Sequence, residues 1–112
     1  MEESILALVK KSIGIDPSYT VFDIDLITHI NSVFMALTQL GIGPAKGFRI
    51  EDDSDEWTDF IPVDDLRFEA VKSYVCLKVR LLFDPPSGSV ILGCIKEQIS
   101  ELEWRLFMAA ES

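Results

Sequence analysis

The chain has 112 residues, which is enough for one domain over residues 1–112 and too few for a second core. Hydrophobic residues make up 48% of the sequence, so the chain is not expected to be disordered. No apolar run approaches the roughly 20 residues that span a bilayer. Nineteen acidic and ten basic residues give a net charge of −9, which opposes binding to nucleic acid phosphates and to anionic membranes.

The first 41 residues predict two helices. Apolar residues recur at steps of three and four in residues 2–13, and Gly14 is placed to end that helix. Pro17 then interrupts the chain. A broad apolar stripe over residues 23–41 predicts the second helix, which Asp23 and Asp25 favour at its positive N-terminal end. Gly41 and the residues after it, up to Pro44, end it.

Residues 46–60 have a different character. "GFRI" and "EWTDFI" carry aromatics or alternate in polarity, and a turn-rich acidic stretch separates them. This pattern predicts a short β-hairpin or an ordered loop. The acidic stretch lacks the glycine and the closing glutamate of a calcium loop, so it is either a solvated tip or a charged contact with a partner. Its residues are Asp52, Asp53, Asp55 and Glu56, with Glu51 before them.

The last 50 residues predict two long helices, over residues 63–83 and residues 89–109. Between them, residues 84–86 hold an aspartate and two prolines, and prolines cannot continue a helix. We therefore expect an antiparallel helix hairpin with a short, stiff connection. The first of the two helices is apolar on most sides, which predicts that it is covered on most sides, in part by a neighbouring subunit.

No arrangement of residues in the sequence predicts catalysis. It contains no nucleophile motif, no glycine loop with phosphate-binding spacing and no metal-ligand spacing, so we expect neither an enzyme nor a cofactor. Cys76 and Cys94 lie in apolar helical stretches and are interpreted as buried free thiols. The charge order of "MEESILALVKKS", acidic before basic, is the reverse of a secretory signal, so the protein is expected inside the cell.

Three residues of the helix hairpin are candidates for contacts with another protein. At about 100° per residue, Trp104 falls nearly opposite the apolar face of the last helix, and Phe107 lies beside Trp104. Either the rest of the chain covers these two rings or they anchor another subunit. Lys78 falls on the apolar side of its helix, where it either extends its ammonium group to the surface or pairs with an acidic residue of a neighbour.

Several stretches together resemble one family. The segments "HINSVFMALTQLGIGP", "VKSYVCLKVRLLFDPPSGS" and "IKEQISELEWRL", with "GF.I" and "W.DF" between them, are similar to small phage proteins. These are the head–tail connector (adaptor) proteins encoded among the head and tail morphogenesis genes of tailed phages and prophages of Gram-positive bacteria. The resemblance extends from about Ile5 to Leu106. The pair "LKVRLLFDPP" and "KEQI.ELEWRL" is its most specific part.

The resemblance implies a mainly helical structural protein of the bacteriophage particle. The resemblance also implies assembly as a ring of about twelve copies. The ring lies beneath the portal protein, extends the DNA channel and docks the stopper or tail-completion protein. The protein would then be in the host cytoplasm during assembly and in the virion neck afterwards. No catalytic or binding motif is carried over from the family.

The residues leave a second hypothesis open, in which the chain is a small regulatory helical protein that binds a single partner protein. For the fold class, the sequence predicts a mainly α protein. It is a small helical bundle with a long antiparallel helix hairpin at the C-terminus and a short β-hairpin or ordered loop inserted before it.

Overall fold

A computed structural model describes the backbone of residues 4–111 and the side chains of residues 4–108. Five helices follow one another along the described residues, and the fourth packs against the first, the second and the fifth. The predicted mainly α fold is confirmed. The helices are α1 (Ile5–Ser12), α2 (Asp23–Gln39), α3 (Trp57–Phe60), α4 (Phe68–Phe83) and α5 (Ser89–Glu111).

The first two helices begin and end near their predicted bounds. The Ser4 hydroxyl accepts a hydrogen bond from the Ala7 N–H at 3.2 Å and so caps α1, while the predicted start at residue 2 lies outside the described residues. Gly14 follows α1 with a φ of +82°, the left-handed conformation that commonly ends a helix. The second helix begins at Asp23 as predicted and ends at Gln39.

The predicted antiparallel hairpin of α4 and α5 is present. Tyr74, in the first half of α4, contacts Glu103, in the second half of α5, so the two helices run in opposite directions. α4 ends at Phe83, and the Asp84 N–H closes its last turn on the Arg80 carbonyl at 2.8 Å. The two prolines follow at once, so the helix cannot extend across the connection.

The predicted start of the fourth helix at residue 63 is wrong by five residues. The Asp65 carboxylate accepts hydrogen bonds from the Arg67 N–H at 2.8 Å and from the Arg67 guanidinium at 3.0 and 3.1 Å. This local pairing holds residues 62–67 in turns, because a short aspartate side chain competes with helical hydrogen bonding. It also holds the pKa of the Asp65 carboxyl below its usual range.

The β-hairpin alternative for residues 46–60 is wrong, and the segment is an ordered loop that ends in the single turn of α3. The Asn31 side chain of α2 occupies the place of a strand partner. Its amide oxygen accepts from the Ile50 N–H at 2.7 Å, and its amide nitrogen donates to the Ile50 carbonyl at 3.1 Å. Within residues 4–111 the only β pairing is an isolated bridge between Ser4 and Glu56.

An aromatic cluster packs this loop onto α2. The Phe34 ring lies 5.0 Å from Phe48, 6.2 Å from Trp57 and 4.6 Å from Phe60, measured between ring centroids. These are the separations at which aromatic pairs interact favourably in tilted or edge-to-face arrangements. Phe34, Trp57 and Phe60 are all buried. The loop therefore completes the core of the helices instead of covering their outer surface.

A buried lysine joins α1 to the start of α2. Lys10 is only 1% exposed, and its ammonium group donates to the Asp23 carboxylate at 2.7 Å and to the Pro17 carbonyl at 2.9 Å. Breaking such a pair by removing one partner is costly, because the other charge is left uncompensated. The pair therefore fixes the linker of residues 13–22 against both helices.

The first prediction concerns two glycines of the loop before α3. Gly43 has a φ of +83° and Gly47 has a φ of +96°, so alanine is strained at either position. Only at Gly43 does a new Cβ overlap the ring of Phe60, whereas nothing lies within 4 Å at Gly47. We expect Gly43→Ala to lower the free energy of unfolding by about 1–3 kcal/mol more than Gly47→Ala does.

Chemical denaturation of both variants measures this difference, and Gly47→Ala controls for the backbone strain. Equal losses in the two variants would contradict the packing of Phe60 against the Gly43 backbone.

Candidate functional site

A groove of about 440 Å³ lies where α2, α4 and α5 meet. It forms because α5 packs extensively against α4 alone, which leaves a gap between α5 and the last turns of α2. Both aromatic residues singled out in the sequence line it. The lining residues are Ala36, Gln39 and Leu40 from α2, Tyr74 from α4, and Glu103, Trp104 and Phe107 from α5.

Trp104 and Phe107 are exposed within the chain. Trp104 is 64% exposed and Phe107 is 44% exposed, and Met108 beside them is 48% exposed. The core stripe of α5 consists of Ile95, Ile99 and Leu106, which are buried, with Leu102 packed against the core. The helical angle therefore predicted correctly that Trp104 lies away from the core. Neither the loop nor α1 covers the two rings.

A polar contact at the floor of the groove sets the position of α5 on α4. The Tyr74 hydroxyl donates to the Glu103 carboxylate at 2.8 Å, and the Lys78 ammonium lies 3.8 Å from the same carboxylate oxygen. Tyr74 is 1% exposed, so its hydroxyl has to find a partner inside the protein. Burial and the neighbouring Glu103 carboxylate raise the pKa of Tyr74 well above its usual value.

Lys78 pairs within its own chain in this structure. Its partner is Glu103, the residue before Trp104, and the Lys78 side chain is 31% exposed. Part of its surface is therefore still available at the edge of the groove. A contact between Lys78 and an acidic residue of a neighbour stays a prediction.

A second apolar surface lies at the opposite end of α2. The Tyr19 ring is 5.9 Å from Phe22, which is 5.3 Å from Phe83 at the end of α4. We call these three rings, with the exposed aliphatic side chains that adjoin them in sequence, the ridge. Those side chains are Val21 and Leu82, which are 68% and 49% exposed.

The acidic residues singled out in the sequence lie in neither surface and instead fold back on themselves. The Asp55 carboxylate accepts from the Glu51 and Asp52 N–H groups at 2.8 and 3.3 Å, and the Asp55 carbonyl accepts from the Ile5 N–H at 3.0 Å. Hydrogen bonds from Ser54 hold the pKa of the Asp52 carboxyl below its usual range. Asp53 is exposed, and Glu56 precedes α3. A contact of this stretch with a partner stays a prediction.

The cysteines differ from expectation. Cys94 is exposed, so its interpretation as a buried thiol is wrong, and Cys76 is half-buried. Cys94 lies near the start of α5, which begins at Ser89. In the described part of the chain, no group of three or more His, Cys, Asp or Glu side chains is arranged to hold a metal ion. Within the same residues, no helix is both long enough and apolar enough to span a membrane.

Comparison with known proteins decides between the two hypotheses for the whole chain. The profile of the family described as phage connector protein matches residues 5–112, which is nearly the full length. The chain belongs to the phage connector protein family. No curated protein and no solved structure shows significant similarity to this connector.

Membership makes this connector a structural phage protein. The family connects parts of the virion, so it implies a place in the virion neck and contacts with other phage structural proteins such as portal and tail. Connectors are not typically enzymes. The family match favours this role over that of a regulatory protein with a single partner.

The sequence did not identify all the residues that build the groove. Neither Tyr74 nor Glu103 was singled out, and neither were the residues at the end of α2. One signal was available for Tyr74. A tyrosine in an apolar stripe has a hydroxyl that needs a partner, and the next helix offers Glu103 in a hairpin register. Lys10 gave no comparable signal.

The second prediction follows from the raised pKa of Tyr74. Above about pH 10 the Tyr74 hydroxyl ionises in the unfolded chain but stays protonated in the folded connector. The unfolded state then binds fewer protons than the folded state, so stability falls as pH rises from there. We expect Tyr74→Phe to remove part of this alkaline loss of stability.

Tyr19→Phe is the matched control, because Tyr19 is 49% exposed and makes no contact with Glu103 in the structure. Urea unfolding of the three proteins between pH 8 and about pH 11 measures the effect. If Tyr74→Phe and the wild type lose stability in parallel over this range, Tyr74 is not the group responsible.

Proposed function

We propose that this connector assembles as a ring of copies beneath the portal protein and joins the capsid to the stopper or tail, with DNA passing through its centre. The observation that carries the proposal is the groove at Trp104 in a chain that belongs to a connector family. A large aromatic residue that is 64% exposed has no role in the core of its own subunit. Aromatic residues in such positions are typical centres of protein interfaces.

The charge of the chain supports the passage of DNA. Nine acidic residues and one basic residue lie in residues 51–69, which accounts for −8 of the net charge of −9. A surface of this kind does not retain the phosphate backbone, because it has few cations to replace the counterions of DNA. We therefore assign duplex DNA the role of a passenger and not of a specific ligand.

The ring has about twelve copies in this proposal, and closed cyclic symmetry is common for such assemblies. Subunits are in the host cytoplasm before assembly and in the virion neck afterwards. The phage or prophage of a Gram-positive host remains the expected source. Single-domain organisation over residues 1–112 is part of the same proposal, supported by one buried core to which α1, α2, α3, α4 and α5 all contribute.

The third prediction uses the two tryptophans. Trp104→Ala should change the free energy of unfolding of the monomer by no more than about 0.5 kcal/mol, as for other exposed positions. The same change should weaken ring assembly or portal docking by about 2 kcal/mol, because it truncates an anchor of the interface. Thermal melts measure the first effect, and light scattering of the connector alone and with the portal protein measures the second.

Trp57→Ala is the matched control. Trp57 is 2% exposed and packs against Phe34, so its truncation should cost about 3–5 kcal/mol of monomer stability. A similar cost for Trp104→Ala would place Trp104 inside the subunit. Unchanged assembly and docking of a stable Trp104→Ala variant would remove the groove from the proposed interface.

A further inference from the structure

We propose that the groove of one connector copy binds the ridge of the next copy, so that the subunits associate head to tail. The proposal rests on the proposed function, since it names the partner of the groove within the assembly. Its evidence is the position, area and charge of the two apolar surfaces.

The two surfaces are well separated on one subunit. Phe22 of the ridge precedes α2, and Leu40 of the groove follows it, so about 27 Å of helix separates them at 1.5 Å per residue. Antiparallel α4 repeats this arrangement, with Tyr74 at the groove and Phe83 at the ridge. A subunit with two different patches at opposite ends forms heterologous contacts, which generate a ring when the rotation closes.

The apolar area of the two surfaces together fits one interface. The exposed fractions of the ridge residues and of Trp104, Phe107 and Met108 correspond to roughly 550–700 Å² of apolar side-chain surface. A stable interface buries about 1,200–2,000 Å² in total, and a little over half of it is apolar. Neither surface alone supplies the apolar part of that area, whereas the ridge and the groove together approach it.

The charges near the two surfaces disfavour contact between two ridges. Asp84 directly follows Phe83 of the ridge and is exposed. The groove has Lys78 at its edge, and this lysine is paired with the Glu103 carboxylate that lines the groove. A ridge facing a second ridge would oppose like charges, whereas a ridge facing a groove meets the Lys78–Glu103 pair, in which the two charges balance.

The remaining charge of the chain does not oppose this contact. Outside residues 51–69 the chain has ten acidic and nine basic residues, so that part carries a net charge of only −1. Both surfaces belong to this nearly neutral part. Two copies can therefore approach through ridge and groove without the repulsion that two acidic segments would produce.

The test uses one variant for each surface. Tyr19→Asp blocks the ridge at a ring that is 49% exposed and packs against Phe22, and Tyr19 lies in the linker before α2, outside any helix. Trp104→Glu blocks the groove with a residue of good helix propensity. Leu66→Asp is the matched control, because it replaces a fully exposed leucine outside both surfaces with the same charge.

Sedimentation velocity under reducing conditions measures the association of each protein and of the mixture. NMR at high concentration, with one variant labelled and the other unlabelled, then shows which residues take part. We expect each blocked variant alone to be monomeric, with self-association at least about tenfold weaker than in wild type and Leu66→Asp. We expect the two blocked variants mixed together to form a 1:1 dimer, because each retains the surface that the other lacks. In the dimer the shifted NMR signals should cluster at the intact ridge and the intact groove.

Other outcomes overturn the inference. Dimers of a single blocked variant would show contacts between like surfaces. Absence of any dimer or signal shift in the millimolar mixture would show that ridge and groove do not bind. If wild type assembles or docks on the portal while both variants do so equally well, the proposed function stands and the head-to-tail contact fails. If wild type neither assembles nor docks, the proposed function itself fails.

Discussion

The 23-residue helix α5 packs extensively against only one other helix, α4. Its core stripe lies on α4, and it makes few other contacts within the described residues. Ile95, Ile99 and Leu106 form that stripe, and the Tyr74–Glu103 hydrogen bond adds a polar contact at a fixed point along it. An apolar stripe covers only about a third of a helix. The exposure of Trp104, the groove beside it and the gap between α5 and α2 all depend on this single line of packing.

The rest of the chain closes its own core without using these surfaces. The Phe34 cluster packs the long loop into the space beside α2, and Asn31 satisfies the loop backbone at Ile50. The buried Lys10 anchors the first linker. The apolar surface at the groove is therefore not left over from an incomplete core. In a soluble assembly such a surface is typically covered by another chain.

The sequence predicted the features that depend on helical periodicity and on helix-breaking residues. These features are α1, α2, α4 and α5, the connection at residues 84–86 and the outward position of Trp104. Each depends on residues that are close in sequence. The loop of residues 46–60 could not be predicted in this way, because Asn31 satisfies the Ile50 backbone from 19 residues away. α4 also starts later than predicted, because the Asp65–Arg67 contact competes with helix formation. The groove joins three helices, so its α2 and α4 residues emerged only from the packing.

The central claim is that another protein chain covers Trp104 in the assembled connector. The fluorescence of a Trp57→Phe variant reports on Trp104 alone, since the chain has two tryptophans. In the free subunit the emission should be typical of a water-exposed indole and be quenched by acrylamide. In the assembly with the portal protein, the account predicts a shift to shorter wavelength and protection from the quencher. Emission and quenching that stay unchanged in a fully assembled complex would contradict it.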